Sequence, residues 1–180
     1  FTQSEGLRKH GLAVEAAMRH FARLAGEDEE LWGVCGMLHD FDFEQNPTLE
    51  THAFVGARVL RERGWPEVIA RAVESHGDHT GVVRESRLEK TLFAVDELSG
   101  FATAVALVKP NKSIFEVDVP SVRKKMKDKA FARNVSRDDI VNGAAQLGVD
   151  LDTHIAEVIE ALKGAAPALG LQGTVAGPAG

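Results

Sequence analysis

Apolar positions recur at intervals of three and four residues almost throughout the chain, the period of an amphipathic helix. Leu7, Val14, Met18, Phe21 and Ala25 share one face and predict a first helix from about 7 to 25, which Gly26 ends. Leu31, Val34, Cys35 and Leu38 form the stripe of a second, from about Asp28 to His39. Asn46-Pro47 predicts the start of a third, since proline suits a first helical turn; it carries Val55, Gly56, Val59 and Leu60 and stops at Gly64. Pro66 opens a fourth with Ile69, Ala72 and Val73 inward, broken by Gly77 and Gly81. A fifth runs from about Ser86 to Leu107 with Leu88, Leu92, Val95 and Ser99 aligned, and Pro110 terminates it. A short basic helix follows Val119-Pro120. A seventh starts at Ser136, an N-cap with the acidic first-turn residues Asp138 and Asp139, and ends at Gly148. The last begins near Asp150 or Asp152 and fades at Gly164. No segment reads as a strand, and no internal repeat is apparent. The expected fold class is all-α, one helical bundle over residues 1–164. The Ala-, Gly- and Pro-rich stretch 165–180 is expected to be a disordered tail.

Composition narrows the chemistry. A chain of 180 residues holds one ordinary domain. Its single cysteine, Cys35, excludes an intramolecular disulfide and a thiolate-rich zinc site, and reads as a small buried core thiol. A formal net charge of −6 excludes a whole-molecule basic field for nucleic acid. The densest local positive run, Arg123, Lys124, Lys125, Lys127 and Lys129, reads first as a solvated helix face, and as a partner-recognition patch second. No apolar run approaches the roughly 20 residues of a membrane span. Phe1-Thr2-Gln3-Ser4 does not read as a secretory signal, and an opening on Phe1 suggests a few preceding residues. The expected location is cytoplasmic.

The seven histidines change the picture. His10 lies three after Leu7 and four before Val14, so it faces inward. His39 is four after Cys35, His52 three before Val55, and His76 three after Val73. Four histidines thus take inward positions on four predicted helices. Asp96, four after Leu92, falls on a stripe as well, and Asp40 follows His39 directly. A lone inward histidine is more often a satisfied core residue. An unpaired buried carboxylate, however, costs several kcal/mol. Four such histidines with two acids are hard to explain independently. A metal centre in the bundle core satisfies all six, because imidazole and carboxylate are good ligands for Zn, Fe, Mn or Ni.

The ordered series His10, His39-Asp40, His52, His76, Asp96 resembles the H…HD…H…H…D signature of the HD-domain superfamily of metal-dependent phosphohydrolases. The likeness covers roughly Leu7 to Ala106. Beyond that the chain is similar to the extra helices of small bacterial and archaeal members. The resemblance implies an HD-type bundle with its metal site in the core. It implies that His10, His39, Asp40 and Asp96 hold one metal. His52 and His76 match the pair that holds a second ion in dinuclear members, with Asp40 bridging. The implied cofactors are divalent ions, two in number, from among Mn, Fe, Ni, Co, Zn and Mg. The implied activity is hydrolysis of a phosphate mono- or diester, a nucleotide among the options, through a metal-activated water, with His39 and Asp40 as the catalytic pair. The implied partner is a small phosphorylated substrate.

The chain also departs from several branches of that superfamily. Phe41-Asp42-Phe43 follows the His-Asp pair where one subgroup has Ile-Gly-Lys, so a basic phosphate partner is missing at Phe43. With no tyrosine, the Gly-Tyr-Pro motif of the cyclic-di-nucleotide phosphodiesterases is absent. The glutamate of the nucleotidase type is absent too; Asp42 or Glu44 is a substitute, although Asp42 reads more simply as a loop or cap residue. His79 competes with His76 for the fourth histidine place; it lies beyond Gly77 and off the stripe, and is expected to face substrate. His20 is expected to be exposed, and His154 has no assigned role. Two other readings share the ligand set: a di-iron oxygenase, and a non-catalytic domain that binds a nucleotide.

Overall fold

The computed structural model describes residues 1–173. Among them are nine α-helices and no strand; an isolated antiparallel bridge joins Ser113 and Gln172. The helices are α1 (Glu5–Ala25), α2 (Glu29–Leu38), α3 (Phe54–Glu62), α4 (Glu67–Ser75), α5 (Arg87–Leu107), α6 (Val119–Met126), α7 (Arg137–Leu147), α8 (Leu151–Gly164) and α9 (Ala166–Leu169). The expected all-α architecture holds. No helix among the described residues is long and apolar enough to cross a membrane.

Helix α5 is the axis of the bundle. Leu88, Leu92, Phe93, Val95, Leu98, Phe101, Ala102 and Val105 are buried around its circumference, and it packs against α1, α2, α4, α6, α7 and α8. A helix apolar on all sides belongs inside a domain. Asp96 is therefore a carboxylate on the central helix of the core.

Helices α1 and α2 form a hairpin turned by Gly26, whose φ of 70° suits glycine and whose N–H closes onto the last turn of α1. They approach closely at Gly36, where a Cβ would lie 2.9 Å from backbone atoms of Glu15 and Val14. Helix α7 lies equally close to α5, since a Cβ on Gly143 would come within 2.5 Å of the Ala94 Cα.

Two expectations need correction. The third helix begins at Phe54, not at Asn46-Pro47. Residues 48–53 form turns, and Ala53 takes a φ of 65°, which stops any helix from running through it. The tail also starts later than 165. Ala166–Leu169 is helical, Leu169 and Leu171 are buried, and Leu171 O accepts from Ile114 N at 2.9 Å. The apolar members of this stretch have a groove to fill, which its Ala-Gly-Pro composition hides. The remainder of the predicted tail, 174–180, lies outside the described residues.

Candidate metal centre

The four inward histidines reach one point from unlike places. Only His10 sits within a helix, on α1. His39 and His76 are the C-cap residues of α2 and α4, and His52 lies in the turn before α3. The last carbonyls of a helix lack intrahelical partners. Gly36 O and Val73 O are two such groups, each three residues before a histidine. His39 Nδ1 donates to Gly36 O at 2.7 Å, and His76 Nδ1 donates to Val73 O at 2.6 Å. A carbonyl only accepts, so both rings carry their hydrogen on Nδ1 and turn Nε2 inward.

Asp42 performs the same task for His52. Its buried carboxylate accepts from His52 Nδ1 at 3.1 Å and from the Gly56 N–H, in the first turn of α3, at 3.1 Å. Asp42 therefore does cap a helix, but from inside the core rather than from a loop surface. It does not line the cleft and does not stand in for a substrate-facing glutamate. Glu44 accepts from the backbone N–H groups of Gln3 and Ser4 on the exposed surface, away from the centre.

The inward atoms form two triads that could each hold a metal ion: His10, His39 and Asp96, and Asp40, His52 and His76. In the first, His10 Nε2 lies 2.9 Å from Asp96 Oδ1 and 3.2 Å from His39 Nε2, and His39 Nε2 lies 3.3 Å from Asp96 Oδ1. In the second, Asp40 Oδ1 is 3.0 Å from His52 Nε2 and 3.3 Å from His76 Nε2, and the two nitrogens are 3.3 Å apart. Ligand atoms about 2.0–2.1 Å from one ion stand roughly 2.9–3.4 Å from each other, so both triads have the edge lengths of a coordination shell. In the second triad the bare Nε2 atoms of His52 and His76 and the Asp40 oxygen also present three acceptors to each other with no donor between them. A cation or shared protons must fill that space. The residues fit a divalent metal by donor type, tautomer and spacing.

Asp40 joins the triads. While Oδ1 faces His52 and His76, Oδ2 lies 3.4 Å from His39 Nε2 and 3.8 Å from His10 Nε2. All six sequence-predicted residues thus converge.

Charge in the metal-free cluster follows from burial against pairing. Burial disfavours the imidazolium of His39, but Asp40 and Asp96 outweigh it and hold the ring well above its ordinary range. Burial likewise opposes charge on His52, and its hydrogen bonds to Asp40 and Asp42 push it up to about 9. Burial raises Asp40 and Asp96, yet His39 and the neighbouring rings hold both carboxyls well below the usual range. Protons and metal ions therefore compete for the same nitrogens.

The centre opens into a cleft of about 620 Å³. Phe43, Leu49 and Phe93 supply apolar wall, and Asp78, His79, Glu97, Asn134 and Asp139 supply polar wall. His79 stays out of both triads; its Nε2 donates to His52 O at 3.2 Å and its ring stacks on His52, which agrees with its place off the helical stripe. Sequence alone did not single out Glu97 or Asn134, and it did not place Asp139 at the cleft. Glu97 follows Asp96 directly, which was the available signal. Burial, then the charge of Asp96, raises its carboxyl to about 7. Asp139 showed only its helix-start role.

The remaining histidines are structural. His20 is not exposed: its Nε2 pairs with Glu157 Oε2 at 2.6 Å, half-buried between α1 and α8. The buried His154 donates Nε2–H to Ala94 O at 2.8 Å. Cys35 is fully buried and burial pushes its thiol up to about 12.

Comparison with known proteins gives one result. Searches of curated proteins and of solved structures each returned no significant match. The family model described as HD domain matches residues 7–100, more than half of the chain, and spans all six converging residues. The chain belongs to the HD domain family.

Proposed function

We propose that this protein is a metal-dependent phosphohydrolase that cleaves a small phosphate mono- or diester at a dinuclear centre. The observation that carries the reading is the split of the Asp40 carboxylate, one oxygen toward His52 and His76 and the other toward His10 and His39. That arrangement supports a bridging role between two ions. When bound, divalent ions supply Lewis-acid polarisation of a phosphoryl oxygen and lower the pKa of water enough for attack at neutral pH. The chain's own contribution is positioning. Gly36 O, Val73 O and Asp42 fix three rings with Nε2 aimed at the two triads. Phe93, with Phe43 and Leu49 at the exposed rim, gives the cleft an apolar wall. A cleft of about 620 Å³ accommodates a mononucleotide-sized ester.

The experiment is a phosphatase and phosphodiesterase panel on protein loaded in turn with Mn, Fe, Co, Ni, Zn and Mg. Turnover is expected with at least one metal, with loss of activity in His39→Ala and Asp40→Ala. Wild-type rates and full metal content in both variants sink the reading. Turnover that instead requires iron and O₂ assigns the centre to oxygenase chemistry.

A further inference from the structure

The ligands all come from residues 7–100, but part of the cleft does not. Asn134, Val135 and Asp139 reach it from the segment that follows α6. Residues 127–136 are turn-rich and carry a positive φ of 41° at Ala132, so this stretch does not hold its shape through regular structure, whereas Asp139 sits in the first turn of α7. One side chain organises it. The Arg137 guanidinium donates to Ala132 O at 2.6 Å, Val135 O at 2.7 Å, Asp128 O at 3.3 Å, and Phe131 O. It also lies over the fully buried Phe101 ring of α5, 4.8 Å from its centre. Two further ties fix the segment to the same helix. Ser136 N–H donates to Glu97 Oε2 at 3.2 Å, and Gly143 brings α7 against Ala94, two residues before Asp96. The loop is thus registered to the metal-ligand helix at three points.

Its chemistry is selective. The cleft lining holds the Asp139 carboxylate, the Glu97 carboxyl, Asp78 and the Asn134 amide, with no Lys or Arg among the described lining residues. Arg84, over the Phe93 ring, is committed to Asp78, Ser75 O and Gln146. Two divalent ions with the Asp40, Asp42 and Asp96 carboxylates would leave a net charge of about +1, which one phosphate group uses up. Any further anion on the substrate would face the Asp139 carboxylate with no Lys or Arg of the described lining to receive it.

We propose that segment 128–139 is the specificity wall of the cleft. Asn134 and Asp139 meet the leaving group; Arg137 is the positioning residue that holds the Asn134 loop there, and α7, seated on α5 at Gly143, carries Asp139. The wall selects phosphate esters whose leaving group is neutral or cationic and offers hydrogen-bond donors, over esters that carry a second anion. This rests on the phosphohydrolase reading for the word ester, but the selection itself is a matter of binding.

The test separates the two. Three non-hydrolysable phosphonates of matched length, with amino, hydroxyl and carboxylate ends (3-aminopropyl-, 3-hydroxypropyl- and 2-carboxyethylphosphonate), are titrated calorimetrically into metal-loaded protein. Turnover of p-nitrophenyl phosphate is followed in parallel. The amino and hydroxyl compounds are expected to bind at least about tenfold more tightly than the carboxylate. Asp139→Asn should reduce that ratio to about threefold or less with metal content unchanged, and Arg137→Ala should blunt it as well. Discrimination without turnover keeps the wall and overturns the hydrolase reading. Turnover with equal binding of the three compounds, no binding of any, or an unaltered ratio in Asp139→Asn overturns the wall.

Discussion

A fully buried carboxylate at position 42 serves two donors at once, the His52 ring and the first turn of α3. Nothing in the local sequence showed this, because both partners are brought in by the fold, 10 and 14 residues away. Asp42→Ala should therefore lower metal affinity by about 10–100-fold, the usual cost of removing such a support. The loss should fall on the His52 and His76 triad and spare the other, as read by metal titration of the variant. His154 carries a different prediction. Its Nε2–H is given to Ala94 O, and burial lowers its pKa in the folded protein. The unfolded chain then binds a proton that the folded one refuses. The stability His154 contributes is fully present above its ordinary pKa of about 6.5 and is lost as pH falls below it. Thermal melts from pH 7.5 to 5 should show a shallower decline in His154→Gln than in the parent. An unchanged slope would exclude this account. Cys35 should stay unmodified by thiol reagents until the protein unfolds.

The helices were largely legible, since an apolar stripe at a fixed period leaves a trace in the sequence that needs no tertiary knowledge. Their ends were less so, and the ends carry the chemistry. His39 and His76 read as stripe residues, yet each is a cap whose ring uses an orphan carbonyl of its own helix to set its tautomer. The start of α3 was misplaced because Asn46-Pro47 is a sound helix opener and the positive φ of Ala53 has no sequence signature. Glycine marks a further element-scale dependence. Gly36 lets α2 approach the α1 backbone, and its carbonyl holds His39. Gly36→Ala should cost about 1–3 kcal/mol in denaturant melts, the usual price of overpacking, and should weaken metal binding at the same time. Lost stability with wild-type metal affinity would show that His39 does not depend on that approach.

For the whole molecule, the six converging residues were visible because their order along one continuous stretch is distinctive; helical spacing placed His10, His39, His76 and Asp96, whereas His52 lies in a turn and Asp40 stood out only by following His39. The far wall of the cleft was not, because Asn134 reaches it through a loop shaped by Arg137 and Asp139 from the start of α7, and no periodic pattern says that either meets the cleft. The C-terminal stretch was misjudged for a related reason: its composition says little, whereas the groove it fills is tertiary. Leu171, 1% exposed, seals that groove, and Leu171→Ala should cost about 2–5 kcal/mol by denaturant unfolding. The central claim is that Asp40 joins two triads into one dinuclear centre. Its most direct test is elemental analysis of freshly purified protein beside the His52→Ala and Asp40→Ala variants. The account predicts two divalent ions per chain in the parent, about one in His52→Ala, and fewer than one in Asp40→Ala. A parent holding one ion, with full occupancy retained in His52→Ala, would contradict it.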